Sequence, residues 1–254
     1  MAQTDTAPAA AELLAAWQVD EPAPPHVPRD RVVDIRFAMG HAPNDLLDPY
    51  VETDKLRAPG VPRLLYSPYP FGDKTVGTWC VSHYDDIRRV YEDNTYFSTK
   101  GVAQFQVLAG ETFPSIPLGI DPPDHAKYRR FLNVHFTPVA LQKLEPKVRA
   151  LAVEMIESFA DKGEVDIAYD FGRVYPVRVF LDLMGLPFAM FEQFLAWEYE
   201  ILHSRDHARM GAAVKQIIAY LREFIAEKQK NPDDKLGSYI ANGEIDGQPL
   251  TPDE

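Results

Sequence analysis

The sequence has one cysteine, Cys80, which excludes a disulfide framework and a cysteine-rich zinc site and makes a reducing compartment the simplest setting. No apolar run approaches the roughly 18 residues of a membrane-spanning helix. The segment Met1 to Ala11 lacks the Lys or Arg that opens a signal peptide, so a soluble, cytoplasmic protein is expected. Basic residues are in deficit: 26 Lys and Arg against 38 Asp and Glu leave a formal charge of −12, which argues against general affinity for nucleic acid or anionic membranes. Gly-x-Gly-x-x-Gly, phosphate-loop, Gly-x-Ser-x-Gly and Cys-x-x-Cys signatures are all missing, so nucleotide and hydrolase chemistry lose support. What is present is 254 residues with 46% apolar and 11% aromatic content, the composition of a packed globular protein.

Residues 1–60 hold many of the 22 prolines, as in Glu21-Pro22-Ala23-Pro24-Pro25, and read as an irregular arm laid over a larger body, with a short helix over Ala11 to Trp17. From Val61 the pattern turns β-like: Leu64-Leu65-Tyr66 and Thr78-Trp79-Cys80-Val81 form a hairpin with a turn around Phe71 to Lys74, in a region spanning 61–100. Ser82 is expected to cap a helix through Asp93 that packs Ile87, Val90 and Tyr91 inward. Residues 98–120 form a long apolar loop rich in Gly and Pro, of the kind that covers or lines a ligand site.

Residues 121–254 read as nearly all helical, giving a mainly α fold with a small β region. Val148, Leu151, Ala152, Met155, Ile156 and Phe159 predict a central core helix ending at Lys162-Gly163. Further helices carry Val177 to Met184, Phe191 to Leu195, and Val214 to Ile225, the last stopping near Asn231-Pro232. Asn242 to Leu250 read as a polar hairpin with Asn-Gly and Asp-Gly turns, and Thr251-Pro252-Asp253-Glu254 as a capping box that opens another helix.

The eighteen residues Asp121 to Pro138 carry the most distinctive pattern. With Asp121 as cap and Pro122 in the first turn, a helix at about 100° per residue places His125, Arg129, Leu132 and Phe136 in one stripe. The stripe suits a flat apolar ligand with an anionic edge, and equally an ordinary polar helix face. His203 and His207 have the spacing of a helical zinc site without its Glu, and read as a solvated face.

His125-Ala126-Lys127-Tyr128-Arg129 after Asp121-Pro122-Pro123, followed by Phe136-Thr137-Pro138, resembles the cytochrome P-450 family of haem-thiolate monooxygenases. The resemblance runs from about Arg63 to Glu254 through Tyr91-Glu92-Asp93, Gly110-Glu111, Met184-Gly185-Leu186-Pro187 and Ala241-Asn242-Gly243. It is closest to the soluble bacterial branch that contains camphor hydroxylase. It implies the N-terminal portion of one P-450 domain, truncated before the central long helix, with His125 and Arg129 reaching a haem b propionate.

The resemblance further implies that loop 98–120 walls a substrate pocket, with Phe105, Val107, Leu108, Phe113 and Ile116 as lining, against plain packing under a loop. By spacing from Asp121, Phe113 falls where camphor hydroxylase has a hydrogen-bonding Tyr, which favours a small apolar terpenoid. Arg88, Lys127 and Arg130 would receive an acidic 2Fe-2S ferredoxin, against simple solvation. The family's oxygen-activating residues, Glu-x-x-Arg pair and iron-binding Cys have no counterpart in these 254 residues, so no catalytic or metal-ligating residue is assigned here. Cys80, in a strand without the surrounding Gly-rich loop, is not a substitute. The chain therefore reads as part of a haem- and O2-dependent hydroxylase, with a naturally truncated fragment or a non-catalytic helical small-molecule-binding protein as the alternative.

Overall fold

A computed structural model describes residues 9–36, 49–69, 77–101, 105–204 and 206–254. The chain divides into two compact units, Met1–Phe97 and Ser98–Glu254. Among the described residues, no helix is long and apolar enough to cross a membrane.

In the first unit, α1 (Ala10–Trp17) buries Leu13 and Trp17. The Pro-rich chain then returns, and its backbone is satisfied by donation from Val33 to the Tyr66 carbonyl at 2.9 Å and from Asp34 to the Trp17 carbonyl at 2.6 Å. That return places Val32, Val33 and Ile35 completely out of solvent. The expected surface arm thus supplies core: Leu13, Trp17, Val33 and Ile35 pack with Leu56, Val61 and Leu65. Leu56 follows α2 (Pro49–Asp54) in a short 3-10 turn.

The expected hairpin forms from β1 (Leu64–Ser67) and β2 (Thr78–Val81), antiparallel, with Leu65 opposite Cys80 and Tyr66 opposite Trp79. Its turn at Phe71 to Lys74 lies outside the described residues. The helix after it, α3 (Tyr84–Glu92), departs from expectation in two ways. His83 rather than Ser82 is the residue before it, and it makes no side-chain cap. No residue of α3 is buried, and Tyr91 and Ile87 are exposed, because an amphipathic stripe is buried only where another element covers it.

In the second unit, Phe105–Leu108 forms a short helix, α4, inside the segment expected as loop. Helix α5 spans Asp124–Asn133, shorter than the expected Asp121 to Pro138. Pro122 and Pro123 lie before it, Asp121 serves the loop instead of capping, and Phe136 sits beyond the last turn, exposed. Thr137 then caps α6 (Pro138–Ala160), its hydroxyl accepting from the Ala140 N–H at 3.2 Å. Only Met155 of α6 is buried, and Val153 and Ile156 are half exposed. The expected central core helix meets α7 (Val174–Met184) on one side, with Val148, Leu151, Ala152 and Phe159 only half-buried and Val139, Leu141, Val153 and Ile156 exposed.

Helix α7 ends where Gly185 adopts φ 74°, a left-handed cap that Gly takes without a Cβ penalty. The unit's core joins Leu181 and Leu186 to Phe224 of α9 (His207–Lys230), with Phe191 and Phe194 of α8 (Phe191–His203) packed against it. Helix α10 (Leu236–Ala241) lies close to α7 and α9: a Cβ on Gly237 would sit 2.4 Å from the Met184 carbonyl and 2.7 Å from the Phe224 ring. The expected polar hairpin is β3 (Glu244–Ile245) and β4 (Gln248–Pro249), turned by Asp246 and Gly247 at positive φ.

Candidate functional site

Helix α5 carries its cations in two different states. Lys127 Nζ lies 3.2 Å from Asp124 and 3.5 Å from Asp246, and the Asp124 hydrogen bond leads the causes that raise its pKa. The side chains of His125 and Arg129, one turn apart on the same helix, make no hydrogen bond or ion pair among the described residues. His125 is half-buried, and Arg129 is exposed. Arg130 is also exposed and without an ion pair among the described residues. Tyr128, between them in sequence, donates to Glu254, which pushes its phenol up to about 12. Glu254 in turn accepts from the Thr251 N–H and hydroxyl, both at 2.9 Å, so only the Glu254 half of the expected capping box forms, in a turn that sits on α5. The Thr251 hydroxyl donates to the carboxylate instead of accepting from the Glu254 N–H.

Asp121 closes the base of loop 98–120. Its carboxylate accepts from the Ser98 hydroxyl at 2.6 Å, the Thr99 N–H at 2.9 Å and the Thr99 hydroxyl at 3.1 Å. These bonds, the one from Ser98 foremost, hold it below the usual carboxylate range. Sequence reasoning gave Asp121 to the helix; Ser98-Thr99 at the other end of the loop was the signal for this alternative.

The five residues expected to line a pocket fall into two settings within that loop. Phe105 and Val107 of α4 are 39% and 46% exposed, whereas Leu108, Phe113 and Ile116 are half-buried. Helix α4 rests on α9 at Gly211, where a Cβ would meet the Leu108 carbonyl at 2.4 Å. A hollow of about 290 Å³ lies elsewhere, between α6 and α7, walled by Leu144, Val148, Leu151, Leu181, Leu186 and Phe188. It contains none of the site residues expected from sequence.

Of the three residues expected to meet a partner, Arg88 pairs with Glu92 at 3.3 Å and Lys127 is paired as above, whereas Arg130 has no ion pair among the described residues. Cys80, on β2, is half-buried with its thiol pKa pushed up by burial, the opposite of what a thiolate metal ligand needs. His203 ends α8 and His207 begins α9, so the two do not share a helix face, and His203 lies against the Tyr199 ring. Among the described residues, no group of three or more His, Cys, Asp or Glu side chains could hold a metal ion.

No family model matches the chain. It is 32% identical over 236 residues to Probable cytochrome P450 127A1 of Sinorhizobium fredii, covering 92% of this chain and 56% of that protein. It is 33% identical over 191 residues to Cytochrome P450(MEG) of Priestia megaterium, covering 70% and 46%. The crystal structure of CYP101J2 superposes with a TM-score of 0.71 at 27% identity over 91% of this chain and 56% of that one. The chain spans about half the length of the curated relatives it matches.

Proposed function

From the premise that this chain belongs to the cytochrome P450 family, we propose that the whole protein is a haem-dependent monooxygenase and that α5 holds the edge of haem b through His125 and Arg129. The observation that carries this reading is the pair itself: two cationic or hydrogen-bonding side chains one helical turn apart, with no hydrogen-bond or ion-pair partner among the described residues, beside a lysine whose charge is compensated. That donor set fits two carboxylates, Arg129 through a bidentate guanidinium and His125 through a ring N–H. Haem ligated by a cysteine thiolate outside these 254 residues would supply the redox chemistry that inserts one atom of O2 into a C–H bond of substrate.

The remaining roles belong to this chain's own side chains. Phe105, Val107, Leu108, Phe113 and Ile116 present hydrocarbon and no hydrogen-bond donor to a substrate, which favours a small hydrophobic molecule of the terpenoid kind. Docking of an acidic 2Fe-2S ferredoxin falls, within the second unit, to Lys127 and Arg130 of α5, and Arg130, without an ion pair among the described residues, is the stronger of the two. The setting is cytoplasmic.

The test is a carbon monoxide difference spectrum of the reduced full-length protein, with haem retention compared between wild type and Arg129→Ala. The long-wavelength band of a thiolate-ligated haem, and haem lost more readily from the variant, are the expected results. Absence of that band from intact protein overturns the reading.

A further inference from the structure

Gln106 is the polar residue of α4, flanked by Phe105 and Val107, and it is only 5% exposed. Burying a carboxamide is costly unless both ends are bonded, and here both are. Its Nε2 donates to the Phe113 carbonyl at 2.7 Å, and its Oε1 accepts from the Ser115 hydroxyl at 2.9 Å. Its backbone carbonyl accepts from the N–H groups of Ala109 at 3.0 Å and Glu111 at 3.1 Å. Residues 106–115 are thus tied into a closed ring around one side chain, with Gly110 at φ 84° making the turn.

The ring is fastened to α9 at two places. Leu108 sits over Gly211, as above, and Arg222 holds Glu111 with two bonds of 3.0 and 3.3 Å. Arg222 also donates to Asp253 at 3.0 Å, so one guanidinium joins the loop, the long helix and the turn at residues 251–254.

We propose that Gln106 is the positioning residue of the substrate wall: it sets the place of Phe113 before any ligand arrives, and Arg222 locks that preformed ring to α9. The inference rests on the reading of loop 98–120 as that wall. A preformed wall discriminates by shape, because a misfit ligand must break buried hydrogen bonds to enter. A wall that folds over its ligand adapts to several shapes.

The experiment compares the intact protein with Gln106→Leu, which keeps the bulk and removes both side-chain bonds, and with Arg222→Gln, an exposed change that leaves the core untouched. Amide hydrogen exchange is followed in residues 106–116, with α7 as internal reference. Equilibrium dialysis of toluene, cyclohexanone and naphthalene gives the spread of affinities. For Gln106→Leu, exchange in 106–116 is expected to rise about tenfold or more with α7 unchanged, and for Arg222→Gln about threefold around Glu111. Discrimination among the probes should fall to within about twofold in Gln106→Leu. Unchanged exchange in both variants overturns the clamp. Raised exchange with unchanged discrimination overturns its positioning role. If wild type binds none of the probes while exchange responds as expected, the substrate-wall reading fails, and the positioning role with it.

Discussion

At the scale of single residues, the haem contact proposed for His125 and Arg129 is open to direct measurement. Charge-assisted hydrogen bonds to a carboxylate contribute about 1.5–3 kcal/mol each, so Arg129→Ala is expected to weaken haem retention by roughly tenfold or more, and Arg129→Lys by less, since lysine keeps charge but not the bidentate fork. Soret absorbance remaining after gel filtration of the full-length protein reads this directly. Tyr128 gives a separate test by pH. Its hydrogen bond to Glu254 lifts the phenol to about 12 from an ordinary 10.0. A folded value above the unfolded one means the contact's contribution is intact below the unfolded value and lost as pH rises through the folded one. Spectrophotometric titration at the tyrosinate band should therefore show one tyrosine ionising near 12 that disappears in Tyr128→Phe. A wild-type titration without that late step would remove the contact from the solution structure.

Between elements, close approach decides stability more than helix propensity does. Ala in place of Gly211 would gain about 1 kcal/mol of propensity in α9. Its Cβ, however, would stand 2.4 Å from the Leu108 carbonyl, a backbone atom that cannot rotate away. Overpacking of this kind costs about 1–3 kcal/mol, so Gly211→Ala is expected to be net destabilising and to loosen α4, checked by urea unfolding and by exchange in residues 106–116. Thr137→Ala removes the one side-chain cap of α6 and should cost about 1 kcal/mol in the same unfolding measurement. The helix periods of α7, α8 and α9 were readable from sequence because each has apolar partners at its repeat positions. The start of α5 was not. A cap assignment from Asp121-Pro122 weighs only local neighbours, while the structure bonds Asp121 to Ser98 and Thr99, more than twenty residues back along the chain.

For the molecule as a whole, apolar surface and charge pull against each other. Tyr84, Tyr91 and Ile87 on α3, and Val139, Leu141, Val153 and Ile156 on α6, stand exposed to solvent. Prepared alone, these 254 residues are expected to bind anilinonaphthalene sulfonate strongly and to self-associate as salt screens the −12 charge, a result that light scattering across a salt series would check. The sequence by itself determined the mainly helical class, the two hairpins, the long helices and the His125–Arg129 spacing, because periodicity and turn chemistry are local and survive without a partner. Only the tertiary structure decided that Val32, Val33 and Ile35 of the Pro-rich arm are core, that α6 is half bare, and that Gln106 and Arg222 are hydrogen-bonded into the loop. Burial and long-range hydrogen bonds depend on which distant residues arrive beside one another, and no spacing along the chain encodes that meeting.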